Sequence, residues 1–229
     1  MKLKVVIVEP SYEINIGYIA RVSKNFGVSK LFFVNPKANL KGDQAIMFAK
    51  HARNLLESAR VYRDFESSVR DCDIVLGTTG VWRKARANFK RIYLLDDAVT
   101  MLKRTGKGST RVAIVIGRDD TGLNMAELER CDMLAYIGTN GRYPVLNISH
   151  ALAILLYRLT KDDFKAEYGS ISDRTVDAKE VEHLLKVFDR LTGSKKIRNR
   201  KAVRAVFKRM LYLSQPNRQE IHALITALK

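Results

Sequence analysis

Short apolar runs alternate with helical patterns through most of the chain, and this alternation constrains the fold more than any other feature. Runs at 5–8, 31–34, 61–62, 74–77, 112–116 and 134–137 read as strands, the fifth being the clearest β-branched stretch. Helical spacing covers 15–26, 44–59, 65–70, 97–103, 124–130 and 148–159, and Asn15 suits the cap of the first helix. Strands joined by helical crossovers pair in parallel, and both faces of such a sheet need cover. The expected fold class is α/β, a mainly parallel sheet with helices on both faces.

The pattern changes beyond residue 160. Segment 161–175, KDDFKAEYGSISDRT, is polar, contains Gly169, Ser170 and Ser172, and reads as a linker. After it only helical spacing remains, over 176–191, 197–213 and 217–228. In the middle helix Val203, Phe207, Met210 and Leu213 form an apolar stripe, with Lys201, Arg204 and Lys208 on the other side. The expected division is a domain at 1–160, a linker at 161–175 and a small all-α domain at 176–229.

The chain carries 41 Lys+Arg against 24 Asp+Glu, a net charge of +17. Such an excess points to a polyanionic partner, nucleic acid first and an anionic membrane surface second. Between 190 and 219 there is no acid, and Lys195, Lys196, Arg198, Arg200, Lys201 and Arg204 crowd the middle of that stretch. Uncompensated cations at this density repel one another, so this face is expected to contact RNA or DNA. A second acid-free stretch, 74–95, holds Arg83, Lys84 and Arg86. Cys72 and Cys131 form no CxxC pair and have no nearby His, so they read as packing residues and no metal site is expected. No secretory leader and no membrane span are expected either: MKLKVVIVEP meets Glu9 and Pro10 early, and the longest apolar run is 151–157. A soluble, cytoplasmic protein follows.

Three glycine-punctuated strand ends carry the best candidate chemistry: Gly77-Thr78-Thr79-Gly80, Gly117-Arg118-Asp119-Asp120-Thr121-Gly122, and the stretch from Gly138 to Leu146. In an open parallel sheet, ligands bind beyond the carboxyl ends of the strands. Glycine there lets backbone amides come close to a ligand. The third stretch leads into Asn147-Ile148-Ser149-His150 and then into the most apolar helix of the chain. His150, at the start of that helix, reads as a core histidine. No GxGxxG follows the first strand and no GxxxxGK[ST] occurs anywhere, which disfavours Rossmann cofactor sites and excludes P-loop nucleotide hydrolysis.

These segments together resemble the SPOUT methyltransferases, and within them the TrmJ-type tRNA ribose 2′-O-methyltransferases. VEPSYEINIGYIARVSKNFGVSKLFFVNP is similar to that family's first motif, IVIGRDDTGLNMAELERCD to its second and YPVLNISHALAILLY to its third, in the family's order. Four positions depart from the pattern: Ile14 stands where Gly is usual, Asp119 where Glu is usual, and Pro144-Val145 where a smaller pair is usual.

The resemblance implies a C-terminal trefoil knot in the α/β domain and S-adenosyl-L-methionine as the cofactor. Carried across, its contacts are Thr78, Thr79, Gly80, Gly117, Ile137, Pro144, Val145 and Leu146. Arg21 is nominated for catalysis, with Asn15, Arg118, Asn147 and Ser149 shaping the site. Because arginine stays protonated, hydrogen bonding to a phosphate or to the developing alkoxide suits Arg21 better than proton abstraction. The resemblance further implies a homodimer and a tRNA substrate methylated at nucleotide 32 of the anticodon loop; the alternatives are a ribose methyltransferase for rRNA or another tRNA position, or a non-catalytic RNA-binding protein on the same scaffold. Arg83, Lys84 and Arg86 would then hold that loop's backbone.

Overall fold

The computed structural model describes residues 1–80, 91–106, 108–168, 178–214 and 216–228. It divides into two compact units, Met1–Lys161 and Asp162–Lys229.

Seven strands of the first unit form one sheet in which every pairing is parallel: β1 (Lys2–Val8), β2 (Leu31–Val34), β3 (Arg60–Tyr62), β4 (Ile74–Thr79), β5 (Ile92–Leu94), β6 (Arg111–Ile116) and β7 (Met133–Tyr136). Their order is β3-β2-β1-β6-β4-β7-β5. The chain winds outward from β1 through β2 to β3, then crosses back to fill the other side. Alternate side chains face opposite layers. Val5 and Ile7 join one core with Leu76, Ile114 and Ala135; Val6 and Val8 join a second with Val75, Val115 and Leu134.

The larger core is covered by α1 (Glu13–Asn25), α2 (Asp43–Ala49), α3 (Arg53–Glu57), α5 (Leu95–Thr105) and α7 (Ile148–Tyr168). On the other face lie α4 (Phe65–Val69) and α6 (Met125–Glu129). Helices α1 and α2 pack closely because Gly17 has no side chain: a Cβ there would lie 2.6 Å from the Ala45 carbonyl oxygen. Lys4 sits within the apolar run of β1 and is buried. Its Nζ reaches Asp71 at 2.6 Å and lies over the Phe32 ring at 4.5 Å, so the charge is paired while the stem packs.

Several expectations need correction. The span 44–59 is not one helix: Lys50 adopts φ +51°, and a 3₁₀ turn separates α2 from α3. Strand β5 was not anticipated, since three residues running straight into a helix offer no period to read. Asn15 does not cap α1, because the helix begins two residues earlier with Tyr12 at the cap. Helix α7 runs on to Tyr168, through the first half of the expected linker. That segment, KDDFKAEY, contains no Gly or Pro and favours helix continuation. The rest of the linker lies outside the described residues.

The second unit contains α8 (Ala178–Gly193), α9 (Arg200–Ser214) and α10 (Arg218–Ala227). Asn217 caps α10 in a reciprocal box with Glu220. Leu184, Leu185 and Val187 of α8 pack with Leu211 of α9 and with Ile221 and Ile225 of α10. The expected stripe on α9 packs at Phe207 but not at Met210 or Leu213, which are 61% and 77% exposed. The helix packs through Arg204, Phe207 and Leu211 instead. Phe207 stacks on Phe188 with ring centroids 4.0 Å apart, and Arg204 pairs with Asp189 at 2.9 Å. That stacked pair and ion pair turn the helix away from its purely hydrophobic register.

Candidate functional site

The sheet order dictates where the loops meet. Strands β6, β4 and β7 are consecutive neighbours running the same way, so the turns after them share one rim of the sheet. Between those turns lies a cavity of about 480 Å³. Thr78, Thr79 and Gly80 line it from the first turn, Gly117 from the second, and Ile137, Pro144, Val145 and Leu146 from the third. All eight residues nominated for the cofactor therefore surround one space. Arg118 and Asp119 also line it, with Leu123 and Leu128 supplying apolar wall.

The second turn is tightly folded. Arg118 and Gly122 exchange backbone hydrogen bonds of 3.2 Å, and Gly122 takes φ +69°. Gly117 leaves no room for a side chain, since a Cβ there would lie 2.3 Å from the Gly122 carbonyl carbon. Asn124 then caps α6 in a box with Glu127. Glu127 is buried and receives two hydrogen bonds of 2.9 Å from the Arg118 guanidinium. Arg118 Nε also donates to Glu9 at 3.3 Å. Glu9 stands at the end of β1 with φ +44°, a conformation held by Arg118 and by Asn35 and Lys37. Arg118 beside it, with Asn35 and Lys37, holds the Glu9 carboxyl below its ordinary range against the opposing effect of burial. The same two carboxylates raise the Arg118 guanidinium above its ordinary value.

Beside this clamp, α1 meets the start of α7. Asn15 Nδ2 donates to Asp119 Oδ1, while Asn147 Nδ2 donates to Asn15 Oδ1 at 2.9 Å. Asn147 Oδ1 accepts from the backbone N–H and the hydroxyl of Ser149, each at 2.8 Å. The second Asp119 oxygen accepts the Ser11 N–H at 2.7 Å. Of the five residues nominated for chemistry, Asn15, Asn147 and Ser149 thus form one network, and Arg118 adjoins it at the cavity wall. Arg21 belongs to neither: it lies exposed on α1, with no hydrogen-bond or ion-pair partner among the described residues. His150 is exposed, so it is not a core histidine; it falls on the face of α7 opposite the buried Leu152 and Leu156.

Cys131 is buried and its thiol is pushed up to about 12, mainly by that burial, which suits packing and not nucleophilic chemistry. Among the described residues no cluster of His, Cys, Asp and Glu could hold a metal ion, and no helix is long and apolar enough to cross a membrane. Of the basic candidates, Lys195, Lys196, Arg198 and Lys201 are exposed. Arg200 is exposed but spends its guanidinium on the Gly193 and Lys195 carbonyls, and Arg204 on Asp189. Arg83, Lys84 and Arg86 lie outside the described residues.

A family model for the SpoU rRNA methylases matches residues 2–157. A curated relative, the tRNA (cytidine-2'-O-)-methyltransferase TrmJ of Methanocaldococcus jannaschii, is 32% identical over 99% of this chain and 98% of its own length. Among solved structures, TrmJ from Z. mobilis ZM4 aligns with a TM-score of 0.71 at 22% identity, covering 100% of this chain and 98% of that one. The SpoU methyltransferase AviRb from Streptomyces viridochromogenes, solved in complex with the cofactor AdoMet, aligns at 0.53 and 18% identity over 71% of this chain and 58% of its own. At these identities the two structural likenesses speak to the fold alone.

Proposed function

This chain belongs to the SpoU rRNA methylase family, and on that premise we propose that it methylates the ribose 2′-hydroxyl of a tRNA, using S-adenosyl-L-methionine. The observation that carries this reading is the convergence of Thr78–Gly80, Gly117, Ile137 and Pro144–Leu146 on one cavity. Its volume of about 480 Å³ is in the range of small-molecule sites, and glycines at two of the three turns open backbone amides to it. Bound there, the cofactor would supply an electrophilic methyl group. The chain's own residues would orient it: the amides of 78–80 and 144–146 along its length, with Leu123 and Leu128 excluding water beside it.

The reading extends to details carried by resemblance. The loop after β7 and α7 would pass through a trefoil knot. The target would be nucleotide 32 of the anticodon loop. Arg21 would hydrogen-bond the substrate phosphate or the oxygen that loses its proton, with Asn15, Asn147 and Ser149 setting the geometry. A homodimer would bring Arg21 to a site, since Ile14, Tyr18 and Arg21 share one exposed face of α1 and two of the three are large and apolar. Lys195, Lys196, Arg198 and Lys201 would hold the tRNA backbone, with Arg83, Lys84 and Arg86 near the anticodon loop. The domains at 1–160 and 176–229 would divide chemistry from RNA capture.

Mass-spectrometric mapping of unmodified tRNA after incubation with enzyme and cofactor tests this reading. A 2′-O-methyl group at nucleotide 32 is expected; methylation of ribosomal RNA only, or of no RNA, would replace the reading.

A further inference from the structure

The network joining α1, the second turn and α7 has a direction that both of its ends impose. At one end the Ser149 backbone N–H can only donate, so the Asn147 amide must turn its oxygen there. Its nitrogen then faces Asn15, which must answer with oxygen. Asn15 has only its nitrogen left for Asp119. At the other end an ionised carboxylate can only accept, from Asn15 through one oxygen and from the Ser11 N–H through the other. The two ends demand the same polarity independently.

We infer that Asp119 is a positioning residue: its carboxylate fixes which end of the Asn15 amide meets Asn147, and so, with Ser149 at the other end, steadies what Asn147 offers to a substrate. With Asn147 Oδ1 accepting twice from Ser149 and one N–H given to Asn15, the group left over on Asn147 is its second N–H. Asn147 is exposed, and with its oxygen taken twice by Ser149 the group it has left to offer is a donor and not a carbonyl. On the methyl-transfer reading, on which this inference rests, a fixed donor suits an oxygen gaining negative charge, whereas a carbonyl would repel it. Ser149 is buried and anchors the network to α7.

The polarity makes an exchange test available. Asp119→Asn must point its amide nitrogen at either Ser11 N–H or Asn15 Nδ2, a donor facing a donor. Asn15→Asp sets two carboxylates side by side. Made together, the two changes restore every pairing: Asn at 119 accepts from Ser11 and donates to Asp at 15, which still accepts from Asn147. Single-turnover rates at saturating cofactor and tRNA are the readout, so weaker cofactor binding drops out. Each single variant should be slower by about tenfold or more, the loss from one mispaired, partly buried polar group. The double variant should recover to within about fivefold of the wild-type rate, since exchanged partners in contact are strongly coupled.

A double variant as slow as the slower single one, or Asp119→Asn turning over at the wild-type rate, would overturn the inference. A second readout separates this from failure of the methyl-transfer reading. The Asn147 side-chain N–H given to Asn15, resolved from its free partner in ¹⁵N spectra, should be protected from solvent exchange in the wild type and the double variant, and lose that protection in Asp119→Asn. If the wild type methylates no tRNA, that N–H still decides the point, and equal protection in all variants would sink it.

Discussion

Arg118 grips Glu127 at two points, Nη1 and Nη2 each lying 2.9 Å from a carboxylate oxygen. Its Nε turns the other way to Glu9, and Nη1 also reaches the Gly122 carbonyl at 3.2 Å. One side chain therefore ties together the end of β1, the turn after β6 and helix α6. Four hydrogen bonds leave little of the guanidinium for a substrate, so Arg118 shapes the site by holding the cavity wall.

Replacing Arg118 by lysine should show this. Lysine cannot reproduce a planar fork. Removing one partner of a fully buried pair costs about 3–5 kcal/mol. The Arg118 and Glu127 side chains are 21% and 9% exposed, so a loss of about 2 kcal/mol is expected once solvent screening is allowed for. Urea denaturation measures it, with cofactor affinity falling in parallel; an unchanged midpoint would show that the clamp contributes nothing.

The clamp also carries a pH signature. Glu9 is held below its ordinary value of 4.5, chiefly by Arg118, so its folded pKa lies under its unfolded one. Its contribution is then full above the unfolded value and is lost as pH falls through the folded one. Glu9→Gln should be less stable than wild type near neutrality, and the gap should close as pH drops below 4.5. Melting curves across that window check the claim; parallel pH profiles would refute it.

Gly117→Ala is expected to be severe. The added methyl carbon would lie 2.3 and 2.4 Å from backbone atoms of Gly122 and Leu123, and neither can move without opening the turn. A stability loss of about 2 kcal/mol or more follows from overpacking of this kind. Cofactor binding should be lost with it. Gly122→Ala tests strain alone, because its φ of +69° is unfavourable for alanine although no atom lies within 4 Å of the added carbon.

Much of the fold was legible because strands buried on both faces must be apolar throughout, and 5–8, 31–34 and 112–116 are. What escaped was local. Strand β5 is three residues long, and the register of α9 depends on Phe188 and Asp189 from another helix. The three turns were visible through their glycines and were expected to share a pocket; the strand order that brings them together, with β4 between β6 and β7, was not legible. Glu9 and Asp119 were not recognised as site residues, since their partners Arg118 and Asn15 lie more than a hundred positions away. Glu127 had a readable signal, the spacing Asn124-x-x-Glu127 of a capping box. Asn15 looked like a cap for the same chemical reason that it serves the network: a short amide that bonds in both directions.

On the second unit, changing Lys195, Lys196, Arg198 and Lys201 to alanine should weaken tRNA binding and flatten its salt dependence. The slope of log affinity against log salt should fall by about 0.7–0.9 for each phosphate no longer neutralised. Arg204→Ala should act mainly on stability instead, since it pairs with Asp189. Equal salt slopes for the quadruple variant and the wild type would remove this face from RNA binding.

The central claim is that turns after β4, β6 and β7 build one cofactor site, and calorimetric titration of S-adenosyl-L-methionine tests it most directly. One site per chain is predicted, abolished by Gly80→Val: Gly80 lines the cavity, a Cβ there already makes van der Waals contact with Val145 Cγ2 at 3.4 Å, and the two further methyl groups would take up cofactor space. Absence of heat with the wild type, or unaltered binding by Gly80→Val, would contradict it.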